Sequence, residues 1–351
     1  MSTEYSIKVP ASSANIGPGF DVLGIGLNLY LTLHVKINPN STTKEPLLTY
    51  TGEGSHNVPL EPEKNLVTAV ALYVLRANNV SDFPHGTHIH VNNPIPLGRG
   101  LGSSGSAIVA GSLLGNVVGG FGFSRQRCLD YCLMIEKHPD NITASMMGGF
   151  VGSFLRKLEG SEVDIVGLPL SKILPQHGAK EQLPSPQAPK DLGTHVKYNW
   201  NHKIKCIAII PQFEVSTEKS RAVLPADYSK ADVIFNLQRL AVLTNAVGQE
   251  GKPSSELIYN AMQDKLHQPY RKVLIPGLTE ILSEFTPDTH PGLLGICLSG
   301  AGPTILCLAD SNFDDISKAI IERFKKENVE CKWLLLEPAD EGAVVEEGSK
   351  L

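Results

Sequence analysis

Pro96-Leu97-Gly98-Arg99-Gly100-Leu101-Gly102-Ser103-Ser104-Gly105-Ser106 is the stretch on which the reading of this chain turns. Before it, residues 87–91 alternate as a strand does, with Ile89 and Val91 on one face and His88 and His90 on the other. After it comes an Ala-, Gly- and Ser-rich segment that reads as a helix ending near Gly119 and Gly120. Glycines let the backbone approach a ligand closely, and a helix start offers unpaired N–H groups at the positive end of its dipole. Together they form a cradle for an anion, phosphate above all. The hydroxyls of Ser103 and Ser104 add donors, and one of them can ligate magnesium.

Three phosphate-loop readings compete. A Walker loop ends in Gly-Lys-Ser/Thr, and no lysine occurs between Lys64 and Lys137. Gly100, Gly102 and Gly105 fit the dinucleotide pattern G-x-G-x-x-G. That pattern should follow a strand directly and be answered by an acid about 20 residues later at a strand end. Here residues 92–96 intervene, and 120–130 read as a turn entering a helix. The blander alternative is a loop that needs glycine only for packing.

The run from Pro96 to Ser104 resembles the phosphate-loop signature P-x-x-x-G-L-G-S-S of the GHMP kinases. Pro10-Ala11-Ser12-Ser13-Ala14-Asn15-Ile16-Gly17-Pro18-Gly19-Phe20-Asp21 resembles the family's first motif in the form carried by its homoserine-kinase branch. Leu298-Ser299-Gly300-Ala301-Gly302-Pro303-Thr304 resembles the third. Three ordered motifs span residues 10–304 and so cover most of the chain. The resemblance implies an α+β protein in the GHMP kinase fold. Its N-terminal domain would be like the second domain of ribosomal protein S5, its C-terminal domain ferredoxin-like, with the site between them. We expect domains at 1–168 and 201–351, joined by a Pro-rich connection or surface insertion, 169–200, of a eukaryotic member. The implied activity moves the ATP γ-phosphoryl group to the hydroxyl of L-homoserine with Mg2+ required, a step of threonine biosynthesis. Other GHMP acceptors, such as mevalonate, phosphomevalonate or a sugar, are the alternative. A nucleotide-binding member that has lost catalysis is a second alternative, from another class.

The same resemblance distributes roles. Pro96 through Ser106 would hold ATP, and Asn65 would contact the adenosine, although capping a helix over 65–78 would also explain it. Glu136 and Ser104 would hold the metal, in keeping with the preference of Mg2+ for hard oxygen ligands. An amino-acid acceptor is a zwitterion, so its carboxylate calls for the planar fork of arginine and its ammonium for an acid. Arg221 and Arg271 lie in segments that resemble those supplying substrate-binding arginines. Asn15, Asp21 and Asn141 match positions that reach the acceptor, with Asp21 expected at the ammonium. Asn141 stands where some GHMP kinases have a poised Asp, so we expect no dedicated carboxylate base. His138, which precedes a proline, either orients a turn or transfers protons.

Composition sets outer limits. The chain has 351 residues, 42% apolar and 19% charged, with a formal charge of -5. That length suggests two domains, and the charge argues against a nucleic-acid or anionic-membrane surface. The start, Met1-Ser2-Thr3-Glu4-Tyr5, lacks the basic and apolar regions of a secretory signal, so a cytoplasmic protein is expected. Six cysteines in so long a chain form no disulfide framework, and Cys128 and Cys132 read as core residues. His88 and His90 share a strand face without a third ligand and read as a solvated face. A homodimer is compatible with all of this and is not decided by it.

Overall fold

The computed structural model describes residues 2–175 and 184–348, so part of the Pro-rich stretch, 176–183, lies outside the described residues. From the N-terminus, β1 (Thr3–Ala14), β2 (Leu23–Ile37) and β3 (Leu47–Gly52) precede α1 (Leu66–Ala77) and β4 (Thr87–Asn93). Helices α2 (Ser103–Gly119), α3 (Arg125–Ile135) and α4 (Pro139–Met147) follow. Then come β5 (Phe150–Leu155), the short helices α5 (Glu162–Gly167) and α6 (Leu170–Ile173), and β6 (Gly193–Tyr198). The second half begins with β7 (Lys205–Pro211), α7 (Thr217–Ala222), α8 (Lys230–Ala246), α9 (Ser255–Ala261), α10 (Gln268–Arg271) and α11 (Leu278–Glu284). It ends with β8 (Leu293–Leu298), β9 (Ile305–Ala309), α12 (Phe313–Lys325), β10 (Cys331–Leu336) and β11 (Val344–Glu347).

The first sheet has seven strands in the order β11-β1-β2-β4-β3, with β5 on β2 and β6 on β5. The long β2 serves two neighbours along one edge. Its residues 23–25 pair with β5 and 32–37 with β4. The alternation over 22–37 suits a strand or a bent pair, and the structure makes 23–37 one strand. The Gly-, Ser- and Asn-rich composition of 11–21 suggests a loop, but the loop begins only after Ala14. Ala11-Ser12-Ser13-Ala14 continues β1 past an irregularity at Pro10/Ala11 and pairs with Leu27 to Gly24. Small residues suit that place because α2 and α4 press on it: a Cβ at Gly24 would lie 2.2 Å from the Asp140 carbonyl oxygen. The strand β3, which the sequence reading passes over, runs parallel to β4 through the crossover helix α1. Leu48, Thr49, Tyr50 and Thr51 do favour a strand, so the signal is present, though mostly on exposed residues.

The second sheet runs β10-β7-β9-β8, antiparallel throughout. In order of sequence that is 4-1-3-2, the ferredoxin-like arrangement. Alternation along β7 shares it between two cores. Cys206, Ala208 and Ile210 join the apolar cluster beneath the first sheet, while Ile207 and Ile209 join a second cluster with α11 and α12. The last described strand, β11, returns to the first sheet and pairs antiparallel with β1. Among the described residues no helix is long and apolar enough to cross a membrane.

Candidate active site

The glycine-rich stretch links β4 to α2 and is held by its carbonyl groups. Gly98, Gly100 and Gly102 have φ of 64°, 84° and 66°, the left-handed region that favours glycine. A Cβ at Gly100 would lie 2.5 Å from the Ser299 carbonyl oxygen, and one at Gly102 would lie 2.0 Å from Ser12 Oγ. Along the loop the carbonyls of Gly98, Arg99 and Leu101 accept from the N–H groups of Val215, Thr304 and Ser12. The carbonyl of Gly100 accepts from Ser299 Oγ at 2.5 Å. Each peptide plane is thereby oriented. No backbone N–H from Gly98 to Gly105 donates to a protein acceptor among the described residues. Gly102, at the N-cap of α2, supplies no side-chain acceptor either. A run of uncommitted N–H groups at a helix start is what an anion needs.

Across the cleft stands the loop between β1 and β2. Asn15, Ile16, Gly17 and Asp21 all have positive φ, and the β-branched Ile16, at 43°, is the unusual one. Asn15 is buried. It donates from Nδ2 to the Gly300 carbonyl at 3.1 Å and accepts the Asp21 N–H on Oδ1. Asp21, expected at an ammonium, here receives both arms of Arg221, from Nη2 at 2.7 Å and Nη1 at 3.2 Å. The opposite charges meet directly. Arg271 is 2% exposed; Nη1 donates to the Gly300 carbonyl at 3.0 Å and Nε to the Ser220 carbonyl at 3.2 Å.

The third wall is α4, a helix with His138 at its N-cap, where the sequence suggests either a turn oriented by that histidine or a proton-transfer role for it. Pro139 occupies its first turn with Asp140 beside it, a start signal readable in the sequence. Glu136 Oε1 lies 2.5 Å from His138 Nδ1. This hydrogen bond raises the His138 pKa above its ordinary value, against the opposing effect of burial. Asp140 is 3% exposed. Burial, and then the charge of Asp21, push its carboxyl up to about 7. Asn141 accepts from Ser12 Oγ at 2.9 Å.

These groups line one open cleft. Of the residues singled out from sequence, Asn15, Asp21, Gly98, Arg99, Gly100, Gly102, Ser103, Ser104, Gly105, Glu136, Asn141, Arg221 and Arg271 line it. Asn65, Pro96, Leu97, Leu101 and Ser106 do not. Asn65 caps α1, accepting from the Val67 N–H at 3.0 Å and donating to the Pro59 carbonyl. Leu101 is core. Ser106 Oγ, fully buried, donates to the Pro10 and Gly102 carbonyls. Ser104 is exposed and its hydroxyl takes no protein partner among the described residues. Together with Glu136 it offers hard oxygen ligands beside the anion cradle. No group of three or more His, Cys, Asp or Glu converges among the described residues.

The GHMP kinases N terminal domain matches residues 65–149, and the GHMP kinases C terminal domain matches residues 251–326. The homoserine kinase of Saccharomyces cerevisiae is 61% identical over 99% of this chain and 100% of its own length. The chain belongs to the homoserine kinases of the GHMP family. The homoserine kinase of Candida albicans is 56% identical over 98% of this chain and 99% of its own. Among solved structures, the homoserine kinase from Cytophaga hutchinsonii superposes with a TM-score of 0.74 at 25% identity, covering 98% of this chain and 97% of that one. Membership of the GHMP family accounts for the placing of glycine loop, first motif and third motif around one cleft. Sequence reasoning gave no role to Phe20 or His267, which pack behind the arginines. The signal for them is spatial: His267 meets Gly17 across 250 residues of chain.

Proposed function

We propose that this chain transfers the γ-phosphoryl group of ATP to the hydroxyl of L-homoserine, giving O-phospho-L-homoserine and ADP, within threonine biosynthesis. The observation that carries this reading is the run of uncommitted N–H groups from Gly98 to Gly105, faced across one cleft by Arg221, Arg271 and Asp21. The loop N–H groups and the start of α2 cradle the phosphate chain. Ser104 and Glu136 would hold Mg2+, which when bound neutralises the charge of the transferring group. The arginines receive the acceptor carboxylate and Asp21 its ammonium, so the zwitterion replaces the Arg221–Asp21 pair with two matched contacts. Asn141 steers the hydroxyl without taking its proton, which a loose transition state allows to leave late.

A coupled ADP-release assay tests this with L-homoserine, 4-hydroxybutyrate and 3-aminopropan-1-ol. Homoserine should be turned over far better than either analogue, since each leaves one charged group of the cleft, Asp21 or the arginines, without its match. No ADP above background with homoserine, alongside good turnover of mevalonate or a sugar, would end the assignment.

A further inference from the structure

One aromatic ring serves both arginines of the acceptor wall. The Phe20 ring centroid lies 5.0 Å from Arg271 Cζ and 5.5 Å from Arg221 Cζ. Its plane is stacked on the imidazole of His267, with centroids 5.4 Å apart and planes at 21°. His267 is fully buried, and its two nitrogens have different partners. Arg271 Nη1 donates to Nδ1 at 3.4 Å, and a guanidinium cannot accept, so Nδ1 carries a lone pair. Nε2 then carries the hydrogen and donates to the Gly17 carbonyl at 2.8 Å. The backbone of His267 is pinned in turn by Asp264, whose carboxylate accepts the N–H groups of Leu266, His267 and Gln268.

We propose that Phe20 and His267 form a stacked platform that positions Arg221 and Arg271 for the acceptor carboxylate. The argument is electrostatic. Two guanidinium groups that share one cleft repel: burial first and then Arg221 act against the charge on Arg271, with Asp21, Asp140 and Asp264 offsetting only part of it. The buried carboxylate behind them, Asp264, lies 3.5 Å from His267 Nε2 and makes no ion pair with either arginine among the described residues, so it leaves the clamp's donors free. A ring face attracts cations through its quadrupole and leaves their hydrogen-bond donors free. A neutral imidazole accepts one hydrogen from Arg271 without adding a charge. With Nε and Nη1 engaged, Arg271 Nη2 donates to no protein acceptor among the described residues and is left for a ligand.

This inference rests on the arginines being the acceptor clamp, and the experiment separates the two claims. Steady-state kinetics and melting temperatures are measured on the full chain for Phe20→Leu, Phe20→Tyr, Arg271→Ala and the double variant Phe20→Leu/Arg271→Ala. Phe20→Leu should raise KM for homoserine about tenfold, with much smaller changes in kcat and KM for ATP, while Phe20→Tyr recovers most of the loss. In the Arg271→Ala background the effect of Phe20→Leu should shrink to less than about threefold, because the ring acts through the guanidinium. His267→Asn, which keeps an acceptor near the Nδ1 position, should harm homoserine KM less than His267→Gln. That pair carries the test if Phe20→Leu does not fold. An Arg271→Ala variant with unchanged homoserine KM would overturn the clamp itself. If Arg271→Ala raises that KM, the platform alone falls on any of three results: an inert Phe20→Leu, fully multiplicative effects in the double variant, or equal effects of Asn and Gln at 267.

Discussion

Arg221 and Arg271 are chemically the same group in different surroundings, and their substitutions should differ accordingly. Arg221 has a side chain 32% exposed and its charge is already met by Asp21. Arg271 is 2% exposed and bonded to two backbone carbonyls. Arg271→Ala should raise the homoserine KM by roughly 2–4 kcal/mol of binding, the range for a desolvated charge pair, and lower the melting temperature. Arg221→Ala should give a smaller KM effect and little change in melting. Lysine should rescue only part of either loss, since the paired fork is gone. Equal rises in KM for ATP would reassign both arginines to the nucleotide or to the fold. Glu136 makes a separate case, because among the described residues its carboxylate is engaged only by His138, and it lines the same cleft as the start of α2. Glu136→Gln should lower kcat by orders of magnitude and raise the Mg2+ concentration needed for half-maximal rate, an amide being a poorer ligand for a hard cation. Normal turnover at an unchanged magnesium requirement would remove Glu136 from the metal.

At the scale of the element, α4 brings an acid into the protein at a cost in stability. Asp140 sits in the first turn of α4, near 7 in the fold against about 3.9 in an unfolded chain. Between those values the unfolded state holds fewer protons than the folded one, so stability falls as pH rises from about 4 to about 7. The full difference corresponds to roughly 4 kcal/mol at most. Asp140→Asn keeps an acceptor for the Asn141 N–H and does not titrate. The variant should therefore melt a few degrees above the parent at pH 8, with the gap shrinking through pH 5 and closing near pH 4; a gap that is constant with pH would refute the assignment. In the same variant kcat should fall by less than about a hundredfold if no carboxylate takes the acceptor proton, a general base being worth typically 10² to 10⁴. The helix itself was readable from Pro139 and Asp140, and treating His138-Pro139 as a turn missed a start signal. By contrast, α1 was legible from Leu66, Val67, Val70, Val74 and Leu75 at helical spacing behind the Asn65 cap. No local pattern could give the continuation of β1 through Ala11 to Ala14, because its small residues are selected by α2 and α4 packing above them.

At the scale of the whole molecule, the phosphate cradle belongs to neither sheet alone. The glycine loop was legible as an anion cradle because glycines and a helix start act locally; what turns its carbonyls away was not, since that comes from residues distant in the chain, Ser12 before the loop and Val215, Ser299 and Thr304 after it. Thr304 N–H meets the Arg99 carbonyl, Gly300 N–H meets the Ala14 carbonyl, and Ser299 Oγ meets both Gly100 O and Ser13 Oγ. This seam joins loops of the first sheet to the third motif on the second, and the shared core under β7 holds the sheets in that register. If the seam orients the loop N–H groups, loosening it should weaken ATP before it touches the acceptor. Ser299→Ala removes one hydroxyl and leaves Ser13 Oγ, in a fully buried residue, without its partner. An unsatisfied buried group costs about 1–3 kcal/mol, so the melting temperature should fall and KM for ATP should rise by up to about tenfold. Gly100→Ala is the harsher change: its Cβ would lie 2.5 Å from the Ser299 carbonyl oxygen, on a backbone with φ of 84°. The backbone must move there, and kcat/KM for ATP should drop by more than about a hundredfold while folded protein can still be recovered. The homoserine KM should move least in Ser299→Ala, because Arg221, Arg271 and Asp21 keep their own bonds. A Ser299→Ala enzyme that melts lower yet keeps its ATP KM, or whose homoserine KM rises as much as that for ATP, would show the seam to be structural support without any part in aiming the cradle.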